Sequence, residues 1–470
     1  MTFIPFAVTS DDRRDKALAP IRLVNVYLEE VQDGAPKPAQ YVLRPWPGLV
    51  KRYAGPTFCR GIFAQDGVLG GTLFAVFGTT LYSISSTYTA TAIGTISGGD
   101  VVRWGALRSK LLIQANGLMW QWDGSSFAQV VDGDFPPNVF DLETIDQRAV
   151  VSVKDSDTYY WSAVLDATSY AALAFATSER KPDKIIALGV LGGDLWVFGA
   201  SSIEPLRGGG DANLPFQAIR SVDINMGCAA RDSVVLIDSS FFFVNDDLVV
   251  CRTEGYSPVR LPNRDLEDAL KALTDPTNLQ GFRVSFGSKI FYVLRLSTGE
   301  AWAYDIAFGT WLFLSTWQAS AYKVSFCVTA YQKTFCAGVD TPNLFSYEDA
   351  TYTDDGATIE RVATFSVPFS QRQIVKSLAF DMTTHAQPLS GQGSDPVMLF
   401  RYWKDSGRYL SGSAYVERQC KLGARGATNY KPNLRRMGLV NPQDGFIGEC
   451  RITDPVGFNL FGVRVNEPLP

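Results

Sequence analysis

The chain has 470 residues, 46% of them apolar and 13% aromatic, with 41 glycines, 24 prolines and a formal net charge of −5. Roughly two to four average domains, or one large closed domain, fit in that length. The acidic balance excludes a conventional nucleic-acid-binding domain, which needs a basic footprint, and a charged fraction of only 19% implies that much of the surface meets other protein.

Residues 1–55 read as an N-terminal arm and a lead-in strand. The arm, 11–20, is expected to be extended and to latch onto neighbours; Asp11, Arg13 and Arg14 are its interaction candidates. Residues 21–29 read as one strand, followed by the Pro-rich passage Arg44-Pro45-Trp46-Pro47-Gly48. From 56 to 350 a hairpin signal returns again and again. Residues 72–77 turn at Gly78-Thr79 and are answered by 81–84; 110–114 turn at Asn116-Gly117 and are answered by 118–122, closed by Asp123-Gly124. Further copies lie at 149–153 with 158–162, 185–191 with 194–198, and 233–237 with 241–244. Two more run from 282–296 to 302–305 and from 322–329 to 334–339. The step between comparable strand starts is roughly 40 to 50 residues, giving about six or seven units of one four-stranded blade each. The expected fold is therefore all-β: a β-propeller of about six or seven blades with an additional C-terminal β-sandwich-like segment.

Helix signals are scarce. The clearest is 264–273, where Asn263 can cap and Leu266, Leu270 and Leu273 share a face; it reads as a connector between blades. Within the repeated region Gly208-Gly209-Gly210-Asp211 follows a strand signal, but no Gly-Lys-Ser/Thr and no helix comes after it. It reads as a flexible loop and interaction candidate rather than a phosphate cradle. After 350 the period breaks down, and 351–470 reads as a differently spaced all-β segment with strands at 365–367, 374–382, 397–403 and 446–453. A loop rich in Gly, Ser and Pro, near 386–396, projects from it and contributes Gln392 and Ser394 as interaction candidates.

No catalytic residue, cofactor or metal site is expected. The single histidine, His385, reads as a surface residue in a polar loop at 383–394, so a histidine metal site or a Ser-His-Asp triad has little to rest on. Seven cysteines without a C-x-x-C pair read as buried free thiols of a chain folded in a reducing cytoplasm. Carboxylates are plentiful, but Asp123, Asp155, Asp157, Asp246, Asp247, Asp354 and Asp355 sit in turns, where Asp usually bonds the local backbone. A glycosidase-type pair needs only closeness in space, so a propeller glycan-binding module or glycan-cleaving enzyme is the alternative reading, supported by Tyr159, Tyr160 and Trp161, which read as exposed. Carboxylates clustered in an axial funnel would favour it. A cellular WD-repeat scaffold is weaker, because Trp122-Asp123 is the one Trp-Asp pair and no Gly-His accompanies it. The first ten residues lack the pattern of a secretory signal, and no run approaches the length of a membrane-spanning helix.

Several words in these pulses carry a family likeness. Asp194-Leu195-Trp196-Val197-Phe198, the stretch 211–217, Gly227-Cys228-Ala229-Ala230, Gly255-Tyr256-Ser257-Pro258, Trp302-Ala303-Tyr304-Asp305 and Gly309-Thr310-Trp311 follow in the order found in the packaged-DNA stabilisation, or tail nozzle (tail hub), proteins of short-tailed bacteriophages, which the chain resembles. The passage 44–55 and the ending Thr453-Asp454-Pro455-Val456 extend the likeness to roughly residues 40 to 465, while Lys404-Asp405-Ser406-Gly407-Arg408-Tyr409 departs from the fuller turn of relatives. The resemblance implies a virion tail protein, assembled as a homo-oligomer, expected to be a hexamer, below a portal-adaptor ring. It implies tail fibres, spikes or a plug protein as distal partners, and packaged DNA passing through the lumen without sequence-specific binding.

Overall fold

A strand covered on both faces is apolar at every position, whereas one with a solvated face alternates. Leu73–Phe77, Asp194–Gly199 and Ala301–Asp305 are buried along their whole length, as expected of strands with a packed sheet on either side. The computed structural model describes residues 2–7, 22–31, 40–178, 180–209, 211, 214–319, 321–367, 372–403, 415–427, 430–440 and 446–466. It arranges these runs as seven blades of four antiparallel strands.

The first blade runs in order through Cys59–Phe63, Leu73–Phe77, Thr80–Ile84 and Ala90–Thr95. Five more begin at Arg103, Val139, Ile185, Val235 and Gln280, each consecutive in the chain. Two-residue turns join many of the strands. Asn116 and Gly117 both take positive φ, +48° and +76°, the primed-turn geometry whose twist matches the strands it connects. The seventh blade has three strands of its own, Phe326–Ala330, Lys333–Gly338 and Thr341–Glu348. Its fourth comes from far upstream: Gly48–Ala54 pairs antiparallel with Thr341–Glu348, Gly48 opposite Glu348. The propeller is thus closed by a strand near the start of the chain.

Adjacent blades share apolar cores, such as Phe74, Leu111 and Trp120 between the first and second. Between the sixth and seventh, the core of Val293, Leu312 and Phe345 runs on without a break into Phe365, Phe400 and Phe458 of the C-terminal segment. That segment is a sandwich. One sheet has the order Val26–Glu30, Tyr41–Pro45, Gly457–Val465, Gln373–His385, Asn433–Val440, with Thr2–Pro5 also paired to Gly457–Val465. The other continues the sixth blade: Leu23–Val24 joins Thr310–Leu314 to Arg361–Val367, and the sheet goes on through Phe446–Ile452, Val397–Trp403 and Val416–Lys421.

Several expectations need correction. Residues 21–29 are not one strand, because Asn25 at φ +52° divides Leu23–Val24 from Val26–Glu30. Its buried side chain donates to the carbonyls of Ser315 (3.0 Å) and Glu360 (2.8 Å) and accepts from the Ser315 amide (3.1 Å). These long-range bonds hold Asn25, a residue type that tolerates the left-handed region, where the chain passes from one sheet to the other. His385 is not in a loop; it ends the strand Gln373–His385, opposite Gly457. The helix is found at Arg264–Lys271, with Asn263 Oδ1 accepting from the Leu266 amide at 3.0 Å and Leu266 and Leu270 buried.

Candidate interaction surfaces and the propeller axis

The first strands of the blades line the axis, and there the apolar pattern is interrupted by charge. Arg103, on the first strand of the second blade, forks onto Asp141 of the third, Nε to Oδ1 at 2.7 Å and Nη2 to Oδ2 at 3.2 Å. Asp141 is fully buried and also accepts the Leu188 amide of the fourth blade at 2.8 Å. Arg103 reaches Asp232 at 3.5 Å, just ahead of the fifth blade. Arg231 pairs with Asp232 at 3.0 Å, donates to the Phe140 carbonyl at 2.6 Å and stacks over the Phe140 ring. Two guanidinium groups and their carboxylates therefore tie four blades together.

The electrostatics follow from this pairing. Burial disfavours the charge on Arg103, but Asp141 and Asp232 outweigh it and push its pKa up. Burial likewise opposes the Asp232 carboxylate, yet Arg231 and Arg103 hold its pKa below the usual value. Glu143 is the exception. It is half-buried, and burial, then the neighbouring Asp141, push its carboxyl up to about 8, only partly offset by Arg103. Carboxylates do cluster at the axis, as the enzyme alternative requires. Two of the three are held in ion pairs, however, which leaves no free acid and base pair on the glycosidase pattern. Among the described residues no group of three or more His, Cys, Asp or Glu is arranged to hold a metal ion.

The candidates read from sequence do not converge. Asp11, Arg13, Arg14 and Gly210 lie outside the described residues, as does the departing turn at 404–409. Gly208 ends a strand beside Asp146, whose carboxylate would meet any Cβ there. The Gly209 amide donates to the Pro215 carbonyl at 2.7 Å, and Asp211 accepts from the Leu214 amide at 3.4 Å, so this loop has its own internal bonds. Gln392 is exposed in the loop at 386–396, and Ser394 donates to the Gly391 carbonyl at 2.8 Å. That loop is tied at its base, since Gln387 donates to the Gly423 carbonyl (2.8 Å) and Lys421 pairs with Asp395 (2.9 Å); Leu389 is exposed at its tip.

Of the three aromatics that read as exposed, Tyr160 alone keeps part of its surface open, beside Phe175. Tyr159 and Trp161 are each 2% exposed, packed between the third and fourth blades. A cleft of about 380 Å³ opens between the sixth and seventh blades and one of about 250 Å³ where the sixth blade meets the sandwich; they share Phe286, Gly287 and Asp349. Several of their charges are engaged: Glu348 accepts from Lys333 at 2.6 Å, Arg44 pairs with Glu29 at 2.5 Å, and Lys289 caps the Phe308 ring. His385 borders the smaller cleft, 3.2 Å from the Tyr352 hydroxyl, and burial and then Arg44 lower its pKa. A neutral, hydrogen-bonded imidazole with a positive neighbour is a poor general acid. The axial cluster escaped sequence reasoning because its members are scattered from 103 to 232. The alternation Asp141-Leu142-Glu143 inside a mostly apolar strand was the one signal that could have marked it.

The sequence matches the family described as Phage_stabilise, bacteriophage P22 Gp10, β-propeller, over residues 22–351. The chain belongs to that family. The match spans the closing strand and all seven blades, while the family-like ending at 453–456 lies beyond it. Members of the P22 Gp10 family are phage structural proteins of the tail. No curated protein matches the chain. Among solved structures it is similar to a catalytically inactive variant of virginiamycin B lyase from Staphylococcus aureus with quinupristin, at 11% identity and TM-score 0.43 over 68% of this chain and 98% of that one. It is also similar to the WD40 β-propeller domain of Doa1, at 11% identity and TM-score 0.42 over 64% and 97%. The computationally designed Ika8 protein aligns at 12% identity and TM-score 0.39 over 73% and 100%.

Proposed function

We propose that this chain is the non-enzymatic subunit of a tail nozzle ring that extends the portal-adaptor DNA conduit, helps retain packaged DNA and carries distal tail parts. Membership of the P22 Gp10 family over residues 22–351 is the observation that carries this reading. The physical character of the fold supports it. A conduit wall facing pressurised DNA must be stiff, and here each blade is packed between two others, with the edge strand of the last covered by Gly48–Ala54. The axis is bridged by ion pairs, so in this reading DNA runs through the lumen of the ring and not through the propeller of one subunit.

In this proposal residues 56–350 form the wall, 351–470 complete it, and the arm within 1–55 contacts neighbours. The ring is a hexamer located in the virion tail, folded in the host cytoplasm; portal-adaptor complexes lie on one side and fibres, spikes or a plug on the other. Thr2–Pro5 pairs within its own chain, so the arm's latching role falls to 8–20, with Asp11, Arg13 and Arg14, and the loops holding Gly208–Asp211 and Gln392–Ser394 are secondary contacts. Immunogold labelling of virions should place the protein at the tail below the portal, and purified protein should join portal-adaptor complexes as a ring. A purely monomeric protein that ignores those complexes would overturn the proposal. Deleting 8–20 should weaken assembly and leave the propeller folded; unchanged assembly would remove the arm from it. The glycan reading loses the aromatic half of its motive with Tyr159 and Trp161 buried.

A further inference from the structure

Cysteines that look scattered in the sequence meet in the seventh blade. Phe326–Ala330 and Lys333–Gly338 form a hairpin in which Cys327 lies directly opposite Cys336. The turn is the two residues Tyr331 and Gln332, both at positive φ, so Ala330 and Lys333 flank it as a hydrogen-bonded pair. Counting back in alternation makes Cys327 and Cys336 a non-hydrogen-bonded pair, the kind whose Cα atoms approach to about 4.5 Å. That spacing lies inside the range a disulfide spans. The two sulfur atoms are 3.0 Å apart, on the same face of the hairpin. The pair is also unevenly accessible: Cys336 is fully buried beneath Tyr347, whereas Cys327 is only partly covered.

We propose that Cys327 and Cys336 are an oxidation site, a dithiol that a small-molecule disulfide converts to a cross-strand disulfide. Access sets the order of events. The Cys327 thiolate attacks the small disulfide, forming a mixed disulfide and releasing one thiol; the Cys336 sulfur, its proton passing to solvent, then attacks the Cys327 sulfur and expels the second. Two protein thiols and one small disulfide become one protein disulfide and two small thiols, with two electrons passing to the oxidant. Burial and the adjacent Cys327 thiol raise the pKa of Cys336, consistent with Cys327 as the first attacker. The link would fasten the two strands that precede Thr341–Glu348, the partner of the closing strand Gly48–Ala54. The inference rests on geometry alone and is independent of the nozzle reading.

The test treats the full, natively folded chain with oxidised glutathione, blocks remaining thiols and digests with trypsin. Cleavage after Lys323, Lys333 and Arg361 puts Cys327 in peptide 324–333 and Cys336 in 334–361. The expected product is these two peptides joined, lighter than their sum by two hydrogens, with a thermal midpoint raised by about 2–4 °C. Cys327→Ser should abolish both the joined product and the midpoint shift. Cys336→Ser should stop at glutathione on Cys327. Recovery of both cysteines in the wild type as blocked thiols, or of Cys327 still carrying glutathione, would overturn the proposal.

Discussion

Arg60 is 1% exposed, yet its guanidinium is nearly surrounded: Nε donates to the Asp100 carbonyl at 2.7 Å, Nη1 to Gly78 at 2.9 Å, and Nη2 to Ser97 at 3.2 Å and to the Asp100 carboxylate at 3.1 Å. It fastens the first blade to the crossing into the second. Removing the guanidinium leaves the inward carbonyls of Gly78 and Ile96 without a donor, while Asp100, nearly half exposed, regains water. Arg60→Met should therefore lower unfolding free energy by about 1–3 kcal/mol, read by urea denaturation; a loss under about 0.5 kcal/mol, no more than a surface pair is worth, would contradict this account. Glu143 acts through pH instead. The unfolded chain releases this proton near 4.5 and the folded one near 8, so between those values the folded state holds more protons and its stability falls as pH rises. Glu143→Gln should flatten that part of the profile and exceed wild type in thermal midpoint at pH 8. Parallel wild-type and variant profiles would show that the carboxyl is not desolvated.

At the scale of elements, the closing strand is fastened by more than its ladder. Arg52 donates to Ser346 at 2.7 Å and pairs with Glu348, which Lys333 also holds, so burial notwithstanding, these partners keep the Glu348 carboxyl below its ordinary pKa. Glu348→Gln leaves the backbone pairing and removes the charge that both cations share. We expect hydrogen exchange at Gly48–Ala54 to rise several-fold, with the first-blade strand Leu73–Phe77 unaffected; equal protection in both proteins would show that the ladder alone closes the ring. The strands themselves differ in how far the sequence announced them. Leu118–Trp122 and Ile185–Leu191 were readable to the residue because both faces are packed and bounded by Gly or Asn turns. The outermost strands Phe127–Gln129 and Phe216–Ala218 were not, being three residues long and half solvated. Nor was the pairing of Gly48–Ala54 with Thr341–Glu348, since no local pattern names a partner some 290 residues away. The axial ion pairs were hidden for the same reason, and the buried Trp161 misled because an aromatic next to a turn looks the same in sequence whether a neighbouring blade covers it or not.

For the whole molecule, the decisive fact is that the core between the sixth and seventh blades and the core of the sandwich are one. Cutting the chain after residue 350 would bare Leu312, Phe345 and their neighbours and leave Leu23–Val24 without Arg361–Val367. A protein ending there should aggregate or unfold at a lower temperature than the full chain, by scanning calorimetry; an isolated propeller as heat-stable as the parent would show that the cores are separable. The topology also places Thr2–Pro5 alongside Gly457–Val465 in the same body.

That placement has a consequence in time. A ribosome delivers Gly48–Ala54 before any blade, but its partner Thr341–Glu348 emerges only after six blades have been made, and Gly457–Val465, the partner of Thr2–Pro5, emerges later still. Pairings of such long sequence separation form slowly, so the nascent chain carries Gly48–Ala54 unpaired while six blades are made. A chain that stops short of Thr341–Glu348 therefore holds a propeller with nothing to close it, however well its first six blades have formed.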